Sequence, residues 1–437
     1  MIRQKYLEHP IPFFAPVARI LPVHYSIKDA PPAAESAETG KSVKEEEDAE
    51  PASKRLKGPL SLLGTSCRHR HRAGTLSSRT AYQNSCYFPN IEKMTGTMQA
   101  LIATEDHSAA VQSAPIPPPS SAQILVRVHA VAQNPTDWKH VAALSEPGNY
   151  VGCDFAGVVE AVGDSVKTRQ VGDRVAGFVH GGRFEGIGSF AEYLITEPAV
   201  TFAIPSSTSF KAAATYGIAC TTAYQALHQR LGISIPGSLE KAVLVWGGAT
   251  SVGCFAIQLA KLAGATVIAT ASPDQWEYLK GLGADVCVDY KDPEVVKKVK
   301  DAAGENGVTY GLDCISEEQT VKAATSCFTG SGKLITLLGT PRIANSNPDQ
   351  VTVQPTLVYT ILGRAFEMRD HEYPASPEDR RVAEQLYEEL PEWIQSGKVK
   401  PNTTRIVEGG LDGILRGFEE MKSGKVRGEK LVYVIKE

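Results

Sequence analysis

Val243-Leu244-Val245-Trp246-Gly247-Gly248-Ala249-Thr250-Ser251 opens a segment that runs to Gly264. It reads as a strand, a glycine turn and the start of a helix. Four apolar residues in a row suit a parallel strand buried on both faces. The small residues after them let backbone N–H groups come close to a ligand. Val252, Phe255, Ala256, Leu259 and Leu262 then recur at helical spacing, and Gly264 stands where the helix stops. A helix opening on such a turn presents unpaired N–H groups and a partial positive charge, which suit a pyrophosphate. A glycine turn that only packs is the competing reading of this stretch alone.

The dinucleotide fingerprint at such a turn is G-x-G-x-x-G. Here the register gives Gly248, Thr250 and Gly253, with threonine in place of the middle glycine. The context supplies what the motif lacks. Strands are expected at Thr266–Ala271, Val286–Tyr290, Tyr310–Ile315 and Lys333–Leu338, with helices from Gln275, over Glu294–Ala303 and over Glu317–Cys327. Strands alternating with helices make a doubly wound parallel sheet, so the fold class is α/β.

An acid about twenty residues past the glycines would bind the ribose hydroxyls of NAD. The second strand instead ends Thr270-Ala271-Ser272-Pro273, with no acid before Asp274. Ser272 can donate to a 2′-phosphate, and Tyr290-Lys291 ends the neighbouring strand. Asp274 also reads as a helix cap. NADPH is the expected cofactor.

Composition narrows the classes. The 437 residues carry a formal charge of −4, which gives no basic field for nucleic acid. No apolar run reaches membrane-spanning length. Eight cysteines are scattered without a C-x-x-C pair, the pattern of a reducing, cytoplasmic compartment.

Residues 1–93 differ from the rest. Ala30–Lys57 is too polar to build a core, and Arg68-His69-Arg70-His71-Arg72 reads as solvated chain. A disordered N-terminal extension is expected there, dispensable for folding. From Gln99 short strands follow at Leu125–Ala132, Val158–Val162, Arg174–Phe178, Ala191–Leu194 and Val200–Ile204, with glycine and aspartate turns between them. Phe210–Leu227 reads as mostly helical. Helices at Glu378–Gln395 and Leu411–Met421 and a strand at Glu429–Ile435 bring the chain back. The expected domains are a barrel from 94–220 and 366–437, and a nucleotide domain at 221–365.

Several spaced motifs occur in one order: Asn134-Pro135-Thr136-Asp137, Val151-Gly152-Cys153-Asp154-Phe155-Ala156-Gly157, Val171-Gly172-Asp173-Arg174-Val175, Gly188-Ser189-Phe190-Ala191-Glu192-Tyr193 and the glycine turn. Together they resemble the medium-chain dehydrogenase/reductase superfamily, across 94–437. That resemblance implies a GroES-like β-barrel domain plus a Rossmann doubly wound parallel sheet domain. Zinc-dependent members carry a cysteine where this chain has Asn134 and a Gly-His-Glu where it has Gly152-Cys153-Asp154. A zinc-free protein, with no metal ligand set, is expected.

Asn134–Lys139, Tyr216–Ala223, Ala271-Ser272-Pro273 and Gly428-Glu429-Lys430-Leu431-Val432 most resemble the stand-alone trans-acting enoyl reductases of fungal polyketide biosynthesis, the lovastatin type. The resemblance implies an NADPH site of Thr136-Asp137-Trp138-Lys139, Ala249-Thr250-Ser251-Val252, Ser272-Pro273-Asp274-Gln275, Tyr290, Leu337-Leu338 and Arg427-Gly428. It implies a substrate channel of Thr221-Thr222-Ala223 and Thr356-Leu357-Val358-Tyr359-Thr360. The implied partner is an enoyl thioester held on the carrier domain of a polyketide synthase, met by a monomer or a dimer.

Enoyl reduction builds negative charge on the thioester oxygen, so a donor must face it. Lys139 is the expected charge partner, and Thr221 the expected hydrogen-bond donor. A solvated helix lysine and a helix cap are the respective alternatives. Val358–Leu362 reads either as channel wall or as an edge strand pairing two subunits. A quinone oxidoreductase and a nucleotide-binding protein without turnover stay open beside the enoyl reductase.

Overall fold

The computed structural model describes residues 96–339, 344–368 and 371–436; the extension expected at 1–93 lies outside them. Six parallel strands stand in the order Val286–Val288, Thr266–Thr270, Ala242–Trp246, Val308–Asp313, Phe328–Thr336, Val351–Pro355. Ala242–Trp246 is buried along its whole length, as its unbroken apolar run requires. The strand order reverses between it and Val308–Asp313. Ligands bind at such a switch point, beyond the carboxyl ends of the strands.

The second sheet runs Thr404–Ile406, Lys430–Val434, Ile124–Ala132, Asp154–Val162, Arg174–Phe178, Thr201–Ala203, with Tyr193–Thr196 also paired to Ile124–Ala132. The returning strand Lys430–Val434 lies antiparallel to Ile124–Ala132, with Val432 opposite Ala132. The barrel is therefore built from both ends of the described chain.

Phe210–Leu227 is mostly helical as expected, in two helices, Phe210–Ala213 and Gly217–Tyr224, continued by a widened turn at Gln225–Arg230. Two other elements differ from expectation. The strand expected at Lys333 begins at Phe328, because Gly330 and Gly332 conceal its alternation; a Cβ on Gly332 would stand 2.4 Å from the Phe328 ring. Val358–Leu362 is a 3-10 helix ended by Gly363 at φ 72°, not an edge strand. The edges of the described sheet are Val286–Val288 and Val351–Pro355.

Candidate active site

The glycine turn is locked from below. Gly247 N–H donates to Thr270 Oγ1 at 3.0 Å, and Gly248 N–H to the Thr270 carbonyl at 2.8 Å. Gly247 has φ 78°, which a side chain would strain. A Cβ on Gly253 would meet the Gly247 and Gly248 carbonyl oxygens at 2.4 and 2.7 Å, so only glycine lets the helix Ser251–Leu262 sit this close. Thr250 has φ −72° and caps that helix, its hydroxyl accepting from Gly253 N–H at 3.0 Å. Threonine is thus tolerated at the middle position of the fingerprint, and the residue needing the left-handed backbone is Gly247. Ala249, Thr250, Ser251 and Val252 are all half-buried at this mouth.

Neighbouring strand ends converge on it. Ser272-Pro273-Asp274-Gln275 forms a short 3-10 turn in which the Ser272 side chain makes no capping bond, and Asp274 accepts from Gln275 Nε2 at 2.8 Å. A Cβ on Gly428 would lie 2.5 Å from Gln275 Oε1, which sets Arg427-Gly428 against that turn. Tyr290 is 45% exposed, with the Lys291 ammonium 5.6 Å from its ring centre. On the other side Leu337 N–H donates to Ser316 Oγ at 2.7 Å, and Thr336 Oγ1 to the Leu338 carbonyl at 2.9 Å. Ser316 itself holds φ 63°, fixed by Asp313, whose carboxylate accepts from the Ile315 and Ser316 N–H groups.

The barrel faces this edge with the helix Pro135–Ala143. Asn134 N–H donates to Asp137 Oδ2 at 2.6 Å and starts the helix. Burial draws the half-buried Lys139 ammonium below its ordinary pKa, and the Glu317 carboxylate opposes that shift. Glu317 caps the helix Glu318–Ser326 of the nucleotide sheet, so Lys139 feels the charge of the facing domain. Its ammonium lies 5.7 Å from the Trp138 ring centre. Thr136 Oγ1 is 2.8 Å from the Tyr359 hydroxyl.

Behind the helix lies a buried polar knot that the motifs did not reveal. Asn134 Nδ2 donates to Asp154 Oδ2 at 2.9 Å, while Asp154 Oδ1 accepts from Ile218 N–H at 2.7 Å. The Lys430 ammonium stands 3.1 Å from Asp154 Oδ2 and donates to Asn134 Oδ1. Asp137, beside them, is pushed up to about 7 by burial, with the Asp154 charge adding to the rise. Lys430 carries a weak sequence signal, a lone charge opening the apolar strand Leu431-Val432-Tyr433-Val434.

Most of the residues expected along an acyl channel are buried and hydrogen-bonded within the protein. Thr221 is fully buried; its hydroxyl donates to the Gly217 carbonyl at 2.6 Å and pairs with Tyr387 at 2.8 Å. Thr222 donates to the Ile218 carbonyl, and Ala223 is buried in the same helix. Thr356 Oγ1 donates to Gln225 Oε1 at 2.8 Å, and Thr360 donates to Asp379. Gln225, Gln229 and Arg230 also converge on Asp379, so those two hydroxyls are taken up in fixing the 3-10 helix. Leu357 is half-buried and Val358 buried. Of this set, Tyr359 is the residue that touches the helix bearing Lys139.

Residues 120–206 match the alcohol dehydrogenase GroES-like domain family, and 251–374 match the zinc-binding dehydrogenase family. The chain is 35% identical over 359 residues to the trans-enoyl reductase resD of Aspergillus sclerotiorum, covering 77% of this chain and 99% of that protein. It is 36% identical over 348 residues to the trans-enoyl reductase ACTTS2 of Alternaria alternata, covering 78% and 99%. The crystal structure of the CurK enoyl reductase superposes with a TM-score of 0.63 at 23% identity, covering 77% and 99%, a likeness of fold. The residues at the zinc positions do not fit that ion. Asp154 is already neutralised by the Lys430 ammonium, Asn134 is held by both, and burial raises the Cys153 thiol well above its ordinary pKa. Among the described residues no group of three His, Cys, Asp or Glu is placed to hold a metal, and no helix is long and apolar enough to cross a membrane.

Proposed function

The chain belongs to the medium-chain dehydrogenase/reductase superfamily, and from that premise we propose that it is a trans-acting enoyl reductase of polyketide biosynthesis. It reduces the α,β-unsaturated thioester of an acyl chain delivered on a synthase's carrier domain. The single observation that carries this reading is Lys139, half-buried on the barrel helix and within the field of the Glu317 carboxylate of the nucleotide sheet. A half-buried cation there suits charge that develops only during reduction.

The glycine cradle fits a dinucleotide: Gly253 leaves no room for a side chain under the turn, and the helix behind it opens toward a pyrophosphate. NADPH is the form we infer, since the Ser272 side chain makes no capping bond and Lys291 adds positive charge by Tyr290. When bound, that cofactor supplies a hydride to the β-carbon. Lys139 then faces the thioester oxygen and stabilises the enolate charge. Thr136 and Trp138 of the same helix, with Tyr359 bordering it, hold the acyl chain there. Incubation with NADPH and octenoyl pantetheine thioester should give the saturated thioester by mass spectrometry. Rapid NADPH loss with benzoquinone and none with the thioester would assign a quinone reductase instead.

A further inference from the structure

Beyond Thr136 lies a pair of buried imidazoles that the reaction as described leaves unused. His140 and His180 are each 2% exposed. Their rings meet edge to face, with centres 5.4 Å apart. His140 Nδ1 lies 2.9 Å from the Thr136 carbonyl oxygen and 3.0 Å from Thr136 Oγ1; a bare lone pair on Nδ1 would face that of the carbonyl, so the arrangement favours the hydrogen on Nδ1. Its Nε2 is left as a bare acceptor and meets no protein partner. Neither ring nitrogen of His180 meets one either. Ser145 Oγ, packed with His140 around Gly182, is a third buried group without a protein partner.

Buried polar atoms are ordinarily paired, so such a cluster points to a ligand. We propose that His140 and His180 recognise a hydroxyl group carried farther along the substrate's acyl chain. This rests on enoyl reduction as proposed above, and it names the class of chain that the site prefers.

The chemistry selects a hydroxyl over other oxygen groups. Burial holds both imidazoles uncharged, drawing His140 down to about 4 and His180 well below its ordinary value. A neutral His140 then offers an acceptor, and a neutral His180 offers one donor and one acceptor. A hydroxyl donates to the first and accepts from the second. A ketone leaves His140 Nε2 unpaired, and a methylene leaves both rings unpaired.

The placement also fits a chain extending from the cleft. The Tyr359 hydroxyl meets Thr136 at 2.8 Å while its ring stacks on His180, with centres 3.7 Å apart and planes within 5°. One side chain therefore links Thr136, on the helix that carries both Lys139 and His140, to His180.

The test is kcat/KM of the full-length protein with NADPH and enoyl pantetheine thioesters of one length. These would carry a hydroxyl, a ketone or a methylene at the fifth or the seventh carbon. The hydroxyl form should lead the methylene form by about tenfold or more at one of the two positions, with the ketone between. His180→Phe keeps a ring against Tyr359 but removes both nitrogens, so the ratio should fall to about one. His180→Gln should restore part of it. Equal kcat/KM for all three substrates in the unmodified protein overturns the inference and leaves enoyl reduction standing. No turnover of any thioester overturns the reading beneath it as well.

Discussion

Lys430 Nζ lies 3.1 Å from Asp154 Oδ2, with side chains 2% and 0% exposed. A fixed ammonium thus joins the last strand of the chain to the start of the Lys139 helix through Asn134. Removing one partner of a buried pair leaves an uncompensated charge and costs roughly 3–5 kcal/mol. Lys430→Met should lower the denaturation midpoint accordingly. The double variant Lys430→Met/Asp154→Asn, which also removes the stranded charge, should recover part of the loss. Equal stability of the single variant and the unmodified protein in urea unfolding would contradict this role.

Asp137 sets a pH dependence. Its folded pKa is about 7 against an ordinary 3.8, so the folded state keeps a proton that the unfolded chain releases. Its contribution is fully present below the unfolded pKa and declines as pH rises toward about 7. Asp137→Asn keeps an acceptor for Asn134 N–H but does not titrate. The stability of the unmodified protein relative to this variant should fall across that window; a constant difference would remove Asp137 as its source.

Lys139→Ala should lower kcat about a hundredfold or more, on the order of 3 kcal/mol, as for loss of one oxyanion donor. NADPH affinity, read by fluorescence titration, should change far less. Near-normal kcat would return Lys139 to the solvated face of its helix.

Gly253→Ala drives a methyl into two carbonyl oxygens that the turn cannot move without losing Thr270. Nucleotide binding should be lost, or the protein should fail to fold. Ser272→Asp tests the phosphate pocket separately: NADPH affinity should fall by about tenfold or more while NADH is less affected, since a new carboxylate repels a 2′-phosphate. Equal losses for both cofactors would place the 2′-phosphate elsewhere.

Five strands of the nucleotide sheet were legible from their apolar runs and its helices from amphipathic spacing, with Ala242–Trp246 and Ser251–Leu262 within a residue of expectation, whereas the partly exposed edge strand Val351–Pro355 was not. The returning barrel strand was legible for the same reason. Helix interiors were not. Gly217–Tyr224 is small and polar enough to resemble a channel wall, but Tyr387, brought from 166 residues away, closes over Thr221. The 3-10 helix at Val358–Leu362 depends on Asp379, again a contact no local pattern announces. His180 follows Phe178 and Val179 at the end of a strand with nothing in its spacing to mark it, and Tyr359 gives it meaning only by stacking.

Hydride transfer to the β-carbon of an enoyl thioester is the central claim, and deuterium-labelled NADPH tests it most directly. The full-length protein would be incubated with the labelled cofactor and octenoyl pantetheine thioester in ordinary water, and the product examined by NMR. The account predicts a saturated thioester with deuterium on the β-carbon and solvent hydrogen on the α-carbon. Recovery of unreduced, unlabelled thioester from a protein that still binds NADPH would contradict it.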